Sequence, residues 1–133
     1  MNQILDFIKE RYNFESPEII TNNYINWLKE HNFNLYTTDY GFLTYKFQGD
    51  ACIINDIFVN KENRSTKKTW ELFNWIRTEA QNNKNCNVLI GFIELLHSDS
   101  KHDLRIQAMK SAGFKEFIKD TELSRLIYIR GVQ

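Results

Sequence analysis

The chain has 133 residues, of which 42% are hydrophobic and 14% aromatic, with one proline and five glycines. That suffices for one domain with a packed core and excludes a disordered chain or a Pro/Gly-rich linker. The 17 Lys and Arg are balanced by 17 Asp and Glu, for a formal net charge of +0, so the basic excess of a nucleic-acid-binding or membrane-surface protein is missing.

Ile4, Leu5, Ile8 and Tyr12 recur at helical spacing and predict a helix over residues 2–12. The same stretch, MNQILDFIKERY, carries acids and lacks a basic head and an apolar run, so no signal peptide is expected. A second helix follows in SPEIITNNYINWLKEHN. Ser16 is its N-cap and Pro17 its first helical position, with Ile20, Tyr24, Trp27 and Leu28 as the apolar stripe and Asn32 or Asn34 as the stop. The period then falls to two, and FNLYTTD, GFLTYKFQG and ACIINDIFV predict a three-strand antiparallel meander, turning at Tyr40-Gly41 and Gly49-Asp50. In STKKTWELFNWIRTEAQNN, Trp70, Phe73, Ile76 and Ala80, with Leu72 beside them, define the core face of another helix. NVLIGFIELL is apolar almost throughout, as a central strand should be. SDSKHDLRIQAMKSAG predicts a shorter helix with Leu104, Ala108 and Met109 inward and Gly113 as its end; FKEF and SRLIYIR are the last strands.

Residues 51–59, 66–82 and 87–95 thus form a strand–helix–strand unit, whose strands run parallel through a right-handed crossover. The fold class is α/β: one domain over residues 1–133, with a mixed, mostly antiparallel sheet and flanking helices.

Cys52 and Cys86 lie in apolar, strand-like runs without metal-ligand spacing, which predicts buried thiols in a reducing compartment. No segment is long enough to span a membrane, and a cytoplasmic location is expected. His97, Asp99, His102 and Asp103 crowd HSDSKHD. Nothing fixes a ligand geometry among them, so no metal is expected, and Asp99 or Ser100 serves better as a helix N-cap.

The stretch NKENRSTKKTWELF joins a predicted strand to a predicted helix and puts Arg64, Lys67 and Lys68 at the helix start. Cations are unfavourable beside the positive end of a helix dipole unless an anion compensates them. The segment is therefore either a solvated basic turn or an anion site.

The order of elements, together with INDIFVNKENR, TWELFNWIRTEA and MKSAGFKEF, resembles the GNAT superfamily of acetyl-CoA-dependent N-acyltransferases over roughly residues 34–130. The resemblance implies a donor arm lying along Phe58 and Val59, in a gap between the parallel strands, as an added strand would. It implies a pyrophosphate on the backbone N–H groups of Arg64, Ser65, Thr66, Lys67, Lys68 and Thr69. The chain departs from the family by placing Lys67 and Thr69 where glycines are usual. Met109 stands where many members carry a tyrosine that protonates the leaving thiolate. Acetyl transfer to an amine is helped by a base; Asp56, inside one strand, and Glu94, near the end of the other, are the candidates, and a structural salt bridge is the plainer role for either. Tyr24, Trp27, Phe33, Tyr36 and Tyr40 are either acceptor-pocket walls or core. The resemblance implies acetyl-CoA as co-substrate, a small-molecule or protein amine as acceptor, no nucleic-acid or membrane partner, and room for a homodimer. The competing expectation is a GNAT-fold binding or regulatory protein, with a phage as one source, that has lost acetyl-CoA catalysis.

Overall fold

The computed structural model describes residues 5–7, 17–63, 67–83, 85–94, 102–120 and 125–132. Residues 5–7 are helical. The elements that follow are α1 (Pro17–Glu30), β1 (Asn34–Thr37), β2 (Gly41–Gln48), β3 (Ala51–Val59), a 3-10 turn (Lys61–Asn63), α2 (Lys67–Asn82), β4 (Val88–Glu94), α3 (His102–Ser111), β5 (Lys115–Asp120) and β6 (Arg125–Gly131). The strands form one six-stranded sheet in the order β1-β2-β3-β4-β6-β5. Every pair is antiparallel except β3 and β4, which run parallel across the α2 crossover. The expected mixed sheet and central parallel unit are both present.

Two helix ends show how local sequence sets the boundaries. After α1, Asn32 adopts φ 62, Phe33 N donates to Leu28 O at 2.8 Å, and Asn32 N donates to Lys29 O at 3.2 Å. After α3, Gly113 has φ +90, Phe114 N donates to Met109 O at 3.0 Å, and Gly113 N donates to Lys110 O at 3.0 Å. Both are Schellman closures, which satisfy the last carbonyls and need a residue that tolerates the left-handed region. At the second, Phe114 and Met109 are both buried, the apolar contact that accompanies such a closure.

The sheet has two unlike faces. On one, Leu43, Cys52, Ile54, Leu89 and Tyr128 pack against Phe73, Ile76 and Ala80 of α2 and Met109 of α3. On the other, Phe7, Phe42 and Phe58 form a smaller aromatic cluster, with Tyr24 and Ile25 of α1 against it. β2 is buried on both faces at Phe42, Leu43 and Thr44.

Two stripes differ from expectation. Trp70 is 58% exposed, while the buried face of α2 is Leu72, Phe73, Ile76 and Ala80. At 3.6 residues per turn Trp70 lies about 100° round from the centre of that face, so counting in threes from Trp70 set the face too far round. On α1, Trp27 is 39% exposed while Thr21 and Leu28 are buried. The first-helix reading beyond residues 5–7, the Ser16 cap and residues 95–101 with His97, Asp99 and Ser100 lie outside the described residues, as do the side chains of Ile20 and Leu104.

Candidate active site

The ladder between β3 and β4 runs Ala51↔Val88, Cys52↔Leu89, Ile53↔Ile90 and Ile54↔Gly91, and stops there. β3 continues to Val59 and β4 to Glu94. The parallel strands therefore part company midway, at their carboxyl ends.

The break coincides with a bulge. On the β2 side Tyr45 pairs with Ile54 and Thr44 with Asp56, so Asn55 is an extra residue. An inserted residue reverses which side chains face which side of a sheet. Before it, Cys52 and Ile54 face α2; after it, Ile57 packs on that cluster while Phe58 joins the α1-side cluster. Asp56 is carried to the α1 face with Phe58. Tyr24 of α1 donates its hydroxyl proton to Asp56 Oδ2 at 3.4 Å, a long contact. Asn55 Nδ2 donates to Thr44 Oγ1 at 3.3 Å. Tyr24, Thr44 and half-buried Asp56 are thereby gathered at the open end of β3. The sequence marked Asp56 and named Tyr24 only among several aromatics; Thr44 and the bulge gave no signal of their own.

Gly91 is the last paired residue of β4. A Cβ on it would lie 2.3 Å from Met109 Cε. The missing side chain is thus replaced by a thioether from α3, and Met109 packs at the base of the opening, 6% exposed. It is core, as its chemistry suggests, and has no proton to donate.

Phe58 and Val59, the expected donor-arm residues, are buried at 6% each. Phe58 also explains a glycine. A Cβ on Gly41 would fall 2.0 Å from Phe58 O, so β2 enters the sheet only if that residue has no side chain. The turn before it is tied by Thr38 Oγ1, which accepts from Gly41 N at 3.0 Å.

At the basic helix start, Lys67 is exposed and Thr69 half-buried. The Lys68 ammonium lies 3.7 Å from Glu71 Oε2 and 5.0 Å from the Tyr40 ring centroid. Tyr40 donates its hydroxyl proton to Glu71 Oε2 at 3.2 Å. Burial and this hydrogen bond push the Tyr40 phenol up to about 12. The β1–β2 turn is thus tied to the first turns of α2, and part of the local positive charge is already engaged. Arg64, Ser65 and Thr66 lie outside the described residues. Glu94 ends β4 opposite Arg125, and its side chain, like those of His102 and Asp103, lies outside the description.

The remaining aromatics do not line one pocket. Tyr36 stacks on Trp75 of α2 with ring centroids 3.7 Å apart, while Trp27 stacks on Phe33 at 5.4 Å beside α1. Cys52 and Cys86 are buried free thiols. Burial pushes the Cys52 thiol up to about 12, which suits packing and not nucleophilic attack.

Neither a protein-family model nor a curated protein sequence matches this chain. Solved structures do match it. A GNAT-family protein from Desulfovibrio desulfuricans superposes with TM-score 0.74 at 14% identity, over 99% of this chain and 92% of its own. GCN5 from Tetrahymena gives TM-score 0.66 at 12% identity, over 99% and 88%. An aminoglycoside 6'-N-acetyltransferase, solved in complex with coenzyme A, gives 0.65 at 10% identity, over 99% and 90%. The chain has the GNAT fold. Within that fold the broken β3–β4 ladder, the α2 start and Asp56 occupy one end of the sheet, α2 on one face and Asp56 with Tyr24 on the other. No described helix is long and apolar enough to cross a membrane.

Proposed function

We propose that this single-domain protein is an N-acetyltransferase that takes the acetyl group of acetyl-CoA and passes it to an amine. The observation that carries the reading is the β3–β4 ladder ending at Ile54↔Gly91 while both strands run on. Parallel strands that separate leave room for an extended arm to pair as a strand would. Gly91 adds no side chain to that opening. The fold supports the choice of donor, and the coenzyme A bound by the aminoglycoside enzyme is of the required class.

The residues fit such a donor in two places. Phe58 and Val59 would flank its arm. No carbonyl of α2 can accept the N–H groups of that helix's first turn, which begins at Lys67 and includes Lys68 and Thr69, and the dipole there favours a pyrophosphate. Arg64, Ser65 and Thr66 belong to the same proposed segment. The thioester supplies the activated acetyl group; the protein orients the acceptor and handles its proton. Asp56 is our choice of base, because it faces the α1 side beside Tyr24 and Thr44. It accepts the amine's proton, directly or through one water, with Tyr24 O–H fixing its carboxylate. Glu94 is the alternative base on the other strand. With Met109 at the family's tyrosine position, the leaving thiolate takes its proton from water.

Acetyl-CoA titration tests the reading. A ligand that binds only the native state raises the melting temperature, and we expect a rise of roughly 3 °C or more at a hundredfold excess over Kd. Absence of any rise at millimolar acetyl-CoA would overturn the enzyme and leave a GNAT-fold binding protein, the reading favoured by the side chains of Lys67 and Thr69 at the helix start.

A further inference from the structure

The α1-side face of the sheet is covered unequally. Over β2 and β3 it is closed: Phe42 and Phe58, packed with Phe7 and α1, are 0% and 6% exposed. Further across, side chains alternate between the two faces. Ile54, Leu89 and Tyr128 belong to the core under α2 and α3, so Ile53, Ile90, Ile127 and Ile129 point the other way. All four are half-buried. α2 and α3 lie on the opposite face, and α1 sits beside β1 and over the Phe42–Phe58 cluster, so among the described residues no helix covers these isoleucines. Ile53 pairs with Ile90, and Ile90 with Ile129. They form one row across β3, β4 and β6, about 10 Å long at the usual spacing of strands. Ile127 lies about 7 Å from Ile129 along β6, toward the open end of the β3–β4 ladder. At the other end Val88 and Ile129, with Lys115 and Phe117, wall a groove of about 480 Å³, within the size range of small-molecule sites. Asp56 stands three positions on from Ile53 in the same strand, turned by the bulge to the same face. An apolar floor thus runs up to the candidate base.

We propose that this isoleucine floor holds the body of the acceptor, and that the acceptor is an amine carried on an apolar alkyl or aryl body. The inference rests on the acetyltransferase reading with Asp56 as base. A protonated amine complements the Asp56 carboxylate, and the isoleucines beyond it carry no charge and no hydrogen-bonding group. The matching molecule has its cation at one end and hydrocarbon over the rest. A polyamine or an amino sugar would strip water from further polar groups over the isoleucines and gain no partner for them. In the transfer, the neutral amine's nitrogen bonds to the acetyl carbonyl carbon as its surplus proton passes to Asp56. The C–S bond breaks, and the departing thiolate takes a proton from water.

The test offers the intact protein a series of primary amines: n-propylamine, n-hexylamine, phenethylamine, ethanolamine and spermidine. Each CH₂ laid on the floor should improve kcat/KM about two- to fourfold, so hexylamine should exceed propylamine roughly 10- to 60-fold, mainly through KM. Phenethylamine should rank with hexylamine, and ethanolamine below propylamine. In protein saturated with coenzyme A, hexylamine should also shift the methyl resonances of Ile90 and Ile127, whereas ethanolamine should leave them in place. Ile90→Thr and Ile127→Thr should each flatten the dependence on chain length. The proposal is overturned if kcat/KM is independent of chain length, if spermidine matches hexylamine, or if hexylamine moves none of the four isoleucine methyls. It is equally overturned if the protein sediments as a dimer that Ile90→Thr dissociates, since a second copy would then occupy the floor. Should the threonine variants not fold, the chain-length series and the methyl shifts of the unmodified protein decide. If acetyl-CoA gives no melting response, the enzyme reading fails and this inference with it. A response to acetyl-CoA with silent isoleucine methyls overturns this inference alone.

Discussion

Residues 51–54 of β3 pair with both β2 and β4, whereas the ladder to β4 does not extend past Ile54. The first half reads Ala-Cys-Ile-Ile and supplies Cys52 and Ile54 to the main core. The second half begins with a bulge at Asn55 and presents Asp56 on the opposite face from the one Ile54 serves. One strand is thus scaffold for half its length and candidate site for the rest. The difference comes from one inserted residue and a parting neighbour, with little change in strand propensity. Polar side chains are tolerated in the second half because Tyr24 and Thr44 answer them.

This contrast can be broken by experiment. The largest expected effect is on catalysis. Asp56→Asn should lower kcat/KM roughly 100- to 10,000-fold with the melting temperature little changed. Ile54→Ala, two residues away, should do the reverse: a loss of about 2–5 kcal/mol in denaturant unfolding with kcat retained in the folded fraction. Equal activity losses in both would erase the distinction between the halves.

The next effect separates two glycines, one on each neighbour of β3. Gly41→Ala drives a Cβ onto backbone, Phe58 O at 2.0 Å, whereas Gly91→Ala meets the end of a flexible side chain, Met109 Cε at 2.3 Å. Backbone cannot step aside as a thioether can. Gly41→Ala should cost about 3 kcal/mol or more in urea unfolding, and Gly91→Ala about 1 kcal/mol. A reversed order would mean that β2, and not α3, is the part that yields.

The smallest effect concerns the tie between the β1–β2 turn and α2. Burial and the bond to Glu71 raise the Tyr40 phenol from its ordinary 10.0 to about 12. A group whose folded pKa is raised gives its full stabilisation below the unfolded value and loses it as pH climbs through the folded one. Tyr40 should therefore contribute constantly below about pH 10, and the contribution should fade between about pH 10 and 12. Tyr40→Phe should flatten part of that alkaline loss and cost about 0.5 kcal/mol at neutral pH, since the bond to Glu71 is exposed. An unchanged alkaline melting curve would show that Tyr40 is not held by Glu71.

Much of the architecture was legible in the sequence. The alternation in GFLTYKFQ and ACIINDIFV, the apolar run VLIGFIE and the glycine of AGF each state a local preference that tertiary packing keeps. The site was legible only in part. Asp56 showed itself as an acid inside an apolar strand, yet nothing in IINDIF says that Asn55 is the extra residue, because a bulge is a relation between two strands. Helical spacing from Trp70 through Phe73 and Ile76 puts Trp70 on the core face, yet in the fold it is 58% exposed, because the buried face is centred on Leu72, Phe73, Ile76 and Ala80.

The sheet order has one more consequence. β6 lies between β4 and β5, and it is made after both of them. As the chain leaves the ribosome, β4 therefore carries an open, highly apolar edge until residues 125–131 emerge to fill it. An unsatisfied edge of that kind is where misassociation begins. The sheet is completed from the middle, and until then a nascent chain holds its candidate site against an unfinished wall.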